Sequence, residues 1–159
     1  MRIGIISDTH GHVAMTQQAV TLLKSLDVER LLHCGDIGTA QIVDMLAAWP
    51  TDFVLGNVDD EAELRPAMVH PGHHLHGRFA SLEIEGKRIA VLHGDYSKKL
   101  RETAESGEWD LVCFGHTHEA ERKQIGNTLL CNPGAVYRAS PRSIATIELP
   151  SMELHVFML

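Results

Sequence analysis

The fold of this chain is decided by a stretch near its start, Arg2-Ile3-Gly4-Ile5-Ile6-Ser7-Asp8-Thr9-His10. A short apolar run gives way to polar loop residues, which is typical of a buried strand that leads into a functional loop. The pattern recurs along the chain. The later copies are Leu31-Leu32 before His33-Cys34-Gly35-Asp36, Phe53-Val54-Leu55 before Gly56-Asn57, Ile89 to Leu92 before His93-Gly94-Asp95, and Leu111 to Phe114 before Gly115-His116-Thr117-His118.

Metal-ligand residue types stand at the end of each of these runs. If the runs are neighbouring strands of one sheet, these side chains meet at its carboxyl edge, where open α/β sheets bind ligands. So many nitrogen and oxygen donors without thiolate predict a two-metal site that suits Mn²⁺, Ni²⁺, Zn²⁺, Fe²⁺ or Co²⁺ rather than Ca²⁺. The seven candidate ligands are Asp8, His10, Asp36, Asn57, His93, His116 and His118.

Composition narrows the classes of protein. The formal net charge of −7 argues against broad nucleic-acid binding, which needs a Lys/Arg surface. Three cysteines without paired spacing, Cys34, Cys113 and Cys131, predict no disulfide framework, and Cys34 and Cys113 are expected to be buried small hydrophobes. No signal peptide and no membrane span are predicted, so we expect a cytoplasmic protein with no membrane partner.

The first half of the chain alternates strands and helices. Strands are predicted over Arg2–Ser7, Arg30–His33 and Asp52–Leu55, with helices over Val13–Leu26 and Thr39–Ala48 between them. This βαβαβ order predicts a parallel sheet with right-handed crossovers.

The second half is richer in strands. Three hairpins are predicted around Glu85-Gly86, Gly126-Asn127 and Pro150-Ser151, with a helix over Ser97–Ser106 and a strand over Asp110–Phe114. These strands favour a second, mixed sheet. The expected fold is α/β, a four-layer α/β/β/α sandwich of two mixed sheets flanked by helices, formed by one domain over residues 1–159.

Five motifs now stand in one order: Asp8-x-His10, Gly35-Asp36, Gly56-Asn57, His93-Gly94 and Gly115-His116-Thr117-His118. This order resembles the calcineurin-like metallophosphoesterases, over nearly the whole chain. Asn132-Pro133-Gly134 with Pro141-Arg142 is similar to the closing segment of the small, single-domain prokaryotic phosphodiesterases, the YfcE-like branch. The resemblance implies the metallo-dependent phosphatase fold and a phosphodiesterase that acts on a small phosphodiester.

The resemblance also implies roles for the ligands, with Asp36 bridging two ions. One ion would be held by Asp8, His10, Asp36 and His118. The other would be held by Asp36, Asn57, His93 and His116. A hydroxide bridging the two metals would attack phosphorus, which makes Asp36 and Asn57 the catalytic candidates. Two alternatives stay open: Asn57 as a turn cap and His93 as a structural histidine.

The chain departs from the family pattern in two places. Many larger relatives carry a histidine after the asparagine that can protonate the leaving group, but this chain has Val58. Asp59 and His12 are candidate substrate-binding residues that would take over this task, with an exposed turn carboxylate as the alternative for Asp59. Asp95 replaces a second histidine after His93-Gly94, and we expect it to cap the helix from Ser97 rather than to accept a hydrogen bond from a ligand histidine.

The histidine-rich tract from His70 to His76 is predicted to be a loop at the site mouth, without an ion of its own. Lys98, Lys99 and Arg101 are expected on a solvated helix face. Phe157 and Met158 either serve a homo-oligomer or join the core.

Two other functions fit the same fold. One is a protein-binding scaffold like a eukaryotic retromer subunit, which has an altered metal centre. The other is a nuclease, which needs a basic channel that the charge argues against. All seven ligand positions keep metal-competent residues, and this favours the enzyme.

Overall fold

The computed structural model describes residues 1–159, with a strand-rich fold and four α-helices. A short 3₁₀ helix, Arg65–Ala67, follows the third α-helix. The helices are α1 (Val13–Ser25), α2 (Ala40–Met45), α3 (Glu61–Leu64) and α4 (Ser97–Glu105). The strands are β1 (Arg2–Ile6), β2 (Arg30–His33), β3 (Thr51–Phe53), β4 (His73–Leu75), β5 (Phe79–Ile84), β6 (Lys87–Leu92), β7 (Leu111–Cys113), β8 (Ala120–Ile125), β9 (Thr128–Pro133), β10 (Ser143–Glu148) and β11 (Glu153–Met158).

The first sheet has the order β11-β10-β1-β2-β3-β4. Strands β1, β2 and β3 are parallel, as the βαβαβ pattern predicted, and β4 pairs parallel with β3. The last hairpin, β10 and β11, also belongs to this sheet, because β10 pairs antiparallel with β1. In this way the interior strand β1, apolar on both faces, is paired along both edges.

The second sheet has the order β5-β6-β7-β9-β8 and is mixed. Hairpins β5-β6 and β8-β9 are antiparallel, whereas β7 is parallel to both β6 and β9. The hairpins around Glu85-Gly86 and Gly126-Asn127 are therefore confirmed.

Three apolar clusters separate four layers. Ile3, Ile5, Val91 and Cys113 belong to the cluster between the two sheets. A second cluster packs the first sheet against α1 and α2, and a third packs the second sheet against α4. The predicted four-layer α/β/β/α sandwich is confirmed. All three cysteines are free and buried, and burial raises the pKa of each thiol, that of Cys131 to about 12. No helix is both long and apolar enough to cross a membrane.

Two segments differ from the sequence prediction. The tract from His70 to His76 is not all loop, because His73–Leu75 forms the edge strand β4 beside β3. The strand is held through Asp52, whose carboxylate contacts the Arg30 guanidinium at 2.6 Å and His76 Nε2 at 2.8 Å. The short helix α3 was not predicted; Asp60 caps it by accepting from the Ala62 N–H.

The ligand-bearing runs do not lie in one sheet. Strands β1, β2 and β3 belong to the first sheet, and β6 and β7 to the second. The loops that follow them nevertheless meet, since His93 Nδ1, after β6, donates to the Cys34 carbonyl, after β2, at 2.8 Å. The carboxyl edges of two stacked sheets together form the site.

Candidate metal centre

Five of the seven predicted ligands converge on one point. Their donor atoms form two groups in which all atoms lie within 4.8 Å of one another, and Asp8 belongs to both. The first group is Asp8, His10 and His118, and the second is Asp8, Asp36 and His93.

Asp8 lies at the centre of both groups and is fully buried. Its Oδ2 accepts hydrogen bonds from the Ser7 hydroxyl and from the His116 N–H. Its Oδ1 has no hydrogen-bond partner, although His118 Nε2 lies 3.0 Å away and His10 Nε2 lies 3.6 Å away. Burial alone would raise the pKa of Asp8, but contacts with His10 and Ser7 and the nearby histidine charges lower it overall. The carboxylate is therefore ionised at neutral pH.

Asp36 lies between the two groups of histidines. Its Oδ1 accepts from the Val58 N–H at 3.2 Å, while its Oδ2 lies 3.3 Å from His93 Nε2 and 3.6 Å from His10 Nε2. Burial raises the pKa of Asp36, but the His93 contact and the Val58 N–H outweigh it and the pKa is lowered.

Two histidines are held with a ring nitrogen directed at these carboxylates. His93 Nδ1 donates to the Cys34 carbonyl, and His118 Nδ1 lies 3.1 Å from the Arg138 carbonyl. A histidine that donates through Nδ1 to a carbonyl presents the lone pair of Nε2, and this is how proteins orient metal-binding histidines. His93 Nε2 is buried and has no hydrogen-bond partner. Burial lowers the pKa of His93, but the neighbouring Asp36 raises it overall.

This donor set fits divalent cations. Buried polar atoms without partners cost roughly 1–3 kcal/mol each, so Asp8 Oδ1 and His93 Nε2 call for a partner. His10 Nε2 and His118 Nε2 also face each other at 3.4 Å. A cation bound among carboxylates and imidazoles satisfies all of these atoms together, and the mixture of N and O donors suits first-row transition metals.

The backbone is strained at the same positions. A positive φ is uncommon for a residue other than glycine and persists where surrounding contacts enforce it. Five of the seven predicted ligands have one: Asp8, His10, Asp36, His116 and His118. Close approach of the loops adds to the effect, since a Cβ on Gly56 would lie 2.0 Å from Asp36 Oδ1 and one on Gly115 would lie 1.9 Å from Ser7 Oγ.

The remaining two predicted ligands, Asn57 and His116, lie beside these groups and are exposed. Asn57 precedes Val58, whose N–H binds Asp36. The His116 ring contacts that of His93 edge-on at a centroid distance of 5.1 Å. Their roles as ligands remain predictions.

Comparison with known families agrees with this geometry. The sequence model of the calcineurin-like phosphoesterase superfamily domain matches residues 1–152. The chain belongs to this superfamily. Membership implies a hydrolase that uses divalent metal ions.

Relatives within the superfamily cover most of the chain. A phosphodiesterase of Methanocaldococcus jannaschii is 30% identical over 138 residues, which cover 84% of this chain and 83% of that protein. A probable metallophosphoesterase of Bacillus subtilis, YsnB, is 27% identical over 93% of this chain and 85% of its own length. The solved structure of an archaeal phosphodiesterase superposes with a TM-score of 0.91 at 27% identity and covers all of both chains. Vps29 of Entamoeba histolytica in complex with Zn²⁺ shares the fold, with a TM-score of 0.74 at 20% identity over 99% of this chain and 91% of its own.

Asp59 joins two of the ligand loops. Its two carboxylate oxygens accept from the Gly38 N–H at 2.9 Å and the Gly56 N–H at 2.8 Å. Asp59 thus connects the loop after Asp36 to the loop that carries Asn57. Its role in substrate binding or proton donation remains a prediction.

His12 lies at the start of α1 and near the centre. Its Nδ1 accepts from the Met15 N–H at 3.3 Å, which caps the helix, and its ring stacks on Tyr137 with centroids 4.2 Å apart. A ring that accepts through Nδ1 carries its proton on Nε2. A substrate contact through this N–H remains a prediction, whereas proton transfer by His12 would require loss of the cap.

The cap predicted for Asp95 is wrong. Tyr96 occupies the N-cap position of α4 without a side-chain hydrogen bond, and Asp95 binds the Arg78 guanidinium instead, at 2.6 Å. Arg78 also donates to the Gly56 carbonyl at 3.1 Å, so it joins the His93 loop to the Asn57 loop. Lys98, Lys99 and Arg101 are exposed on α4, as predicted.

Sequence reasoning missed two supporting residues. Buried His33 accepts from the Gly35 N–H and contacts the Thr9 hydroxyl at 3.0 Å, and burial lowers its pKa to about 4. Buried Asn132 donates to the Gly115 carbonyl at 2.9 Å and to the Thr117 hydroxyl at 3.0 Å, which fixes the loop of His116 and His118. The sequence signal that could have identified these two residues is a polar side chain at a predicted buried position next to a ligand loop.

Proposed function

We propose that this protein is a metal-dependent phosphodiesterase that hydrolyses a small phosphodiester at a two-metal centre, with Mn²⁺ as the preferred ion. The observation that carries the proposal is the pair of donor groups that share Asp8, in which Asp8 Oδ1 and His93 Nε2 are buried without partners. The strained backbone of the ligand loops supports it, because strain of this kind concentrates at functional sites.

The residues have distinct tasks in this proposal. Asp36 would be the carboxylate shared by the two ions, because its Oδ2 lies near both His10 and His93. Asp8 with His10 and His118 would complete one site, although its carboxylate also lies within 4.8 Å of the donor atoms of Asp36 and His93. Asn57 and His116, which are exposed beside these donor groups, would complete the second metal site together with His93.

Two divalent ions at these residues would activate a water for attack on phosphorus and would offset the charge that develops on the phosphate oxygens. The chain supplies the side chains that would bind the ions and holds the loops that carry them in place. Asp59 and Arg78 hold the Asn57 loop, and Asn132 holds the loop of His116 and His118. Because Val58 is an exposed apolar residue, this position offers no proton donor, and we propose a preference for substrates with good leaving groups.

The test is reconstitution of the metal-stripped protein. A chromogenic phosphodiester and the matching monoester are assayed after addition of Mn²⁺, Ni²⁺, Zn²⁺ or Mg²⁺. We expect turnover of the diester with Mn²⁺ above the other ions. Turnover of the monoester alone would contradict the diester preference. If no ion restored turnover of either ester, a protein-binding scaffold on the same fold would be favoured.

A further inference from the structure

A side-chain stack borders the metal centre on the side of His10 and His118. The His12 ring stacks on the Tyr137 ring, with centroids 4.2 Å apart and an interplanar angle of 28°. The Arg138 guanidinium lies over the Tyr137 ring, 5.8 Å from its centroid. Tyr137 also lies edge-on to the predicted ligand His10, at 6.5 Å.

The stack is fixed to the centre through the backbone. Tyr137 N–H donates to the Asp8 carbonyl at 3.1 Å, and the Arg138 carbonyl receives His118 Nδ1 at 3.1 Å. Arg138 has a positive φ of 60°, which is costly for an arginine and is maintained by these contacts. The residue is therefore held in place beside two predicted ligands rather than displayed on a free loop.

The Arg138 side chain has no anionic partner. Arg138 is exposed, takes part in none of the ion pairs of the structure, and its guanidinium lies over the Tyr137 ring. Arg78 and Arg30 are paired with Asp95 and Asp52, whereas Arg88, Arg101 and Arg122 are unpaired like Arg138 but do not adjoin a predicted ligand through a backbone contact of this kind. An unpaired guanidinium beside a phosphoester site has the fork of donors that matches two phosphate oxygens.

The start of helix α1 adds to the positive potential. His12 is the N-cap of this helix, and its first turn contains no acidic residue to offset the partial positive charge of the helix end. The capped His12 also keeps an N–H on Nε2 as a further donor. The stack thus links the helix start, an aromatic ring and a free cation on one side of the centre.

Resting on the phosphodiesterase function proposed above, we infer that Arg138, supported by the His12–Tyr137 stack, binds the phosphate group of the substrate as a subsite next to the metal centre. Arg138 contacts the non-bridging oxygens, and the Tyr137 ring holds the guanidinium over the site.

The test measures binding of orthophosphate to the manganese-loaded protein by titration calorimetry, together with diester KM. Arg138→Gln should weaken phosphate binding by about 10–100-fold, the loss of one charge-assisted contact. Arg138→Lys should recover part of the affinity, because it keeps the charge but not the fork. Arg88→Gln is the matched control, since Arg88 is an exposed arginine at the start of β6, at the far end of that strand from His93.

Two further measurements distinguish a direct phosphate contact by Arg138 from an indirect effect of Arg138 through His118. Bound manganese should be equal in all variants, because replacing the Arg138 side chain leaves the carbonyl that orients His118. Tyr137→Leu should raise the diester KM with little change in bound manganese. Loss of manganese in Arg138→Gln would overturn the subsite, because the residue would then act through His118.

The outcomes also separate this inference from the proposed function. If orthophosphate binding depends on Arg138 but no diester is hydrolysed, the phosphodiesterase proposal fails and the subsite stands. If diesters are hydrolysed and Arg138→Gln leaves both phosphate affinity and KM unchanged, the subsite is wrong and the function stands.

Discussion

Two histidine-rich regions of this molecule differ in what their imidazoles contact. In the metal centre, His10, His93 and His118 direct ring nitrogens at buried Asp8 and Asp36. In the tract from His70 to His76, three of the imidazoles contact acceptors of the protein itself, and His73 Nδ1 is buried without a partner.

The contacts of the tract are of a stabilising kind. His76 pairs with Asp52 at 2.8 Å, His70 with Asp44 at 3.2 Å, and His73 Nε2 lies 3.4 Å from the Leu46 carbonyl. Neither group of converging donor atoms contains a residue from the tract. Histidine density is thus a poor signal of a metal site, whereas shared carboxylates, orphaned buried donors and positive φ values together are a strong one.

The largest expected effect is that of Asp36→Asn in the metal centre. An amide cannot offset the charge of two ions, so we expect manganese affinity to fall by more than the 10–100-fold typical of residues that only orient ligands, and diester turnover to be lost. Metal content by atomic absorption and steady-state kinetics measure both. The comparison would fail if Asp36→Asn kept near-normal turnover.

Replacing one histidine in each region with alanine sharpens the comparison. His93→Ala should lose manganese and activity. His76→Ala should keep manganese but lower the free energy of unfolding by about 1–3 kcal/mol, because it removes one partner of buried Asp52. Metal analysis and denaturant melts distinguish the two. Equal manganese in both variants would show that the two regions do not differ as described.

Neighbouring carboxylates provide a finer test of loop support. Asp59→Ala should lower kcat/KM by roughly 10–100-fold, because the Gly38 and Gly56 loops lose their common acceptor. Asp60→Ala is the control: it removes the cap of α3 and should cost about 0.5–2 kcal/mol of stability with little change in kinetics. Retained activity in Asp59→Ala would assign this residue no positioning role.

The sequence predicted the ligand loops better than it predicted their surroundings. Asp8 and Asp36 follow apolar runs whose local pattern predicts strands, and both runs are strands in the fold. Strand β4 was missed because three residues of a histidine-rich segment carry no periodic signal, and its order depends on pairing with β3 and on the distant Arg30–Asp52 contact.

The sequence also did not predict which groups the carboxylates at the loop ends would bind. Asp95 precedes a helix and has the chemistry of a cap, yet Arg78, 17 residues earlier, takes its carboxylate. Asp59 looks like an exposed turn residue until the Gly38 and Gly56 loops are brought to it. Such contacts join segments that are distant in the chain, and no local pattern encodes them.

The smallest expected effect is on stability in mild acid. Because burial lowers the pKa of folded His33 to about 4, below its unfolded value near 6.5, the unfolded chain binds more protons between these values. The stability contribution is full above pH 6.5 and is lost as the pH falls toward 4. Denaturant melts of the metal-free protein across this window should show the slope, and His33→Gln should reduce it. An unchanged slope in the variant would assign the acid sensitivity to other groups.

The proposed function requires that two ions are held between the sheets with Asp36 as their shared carboxylate ligand. Crystals grown with MnCl₂ and measured at the manganese absorption edge test it most directly. We expect two anomalous peaks within about 3.5–4 Å of each other, both contacting Asp36 and one of them contacting Asp8 and His118. A single peak away from Asp36, or a peak in the tract from His70 to His76, would contradict the account.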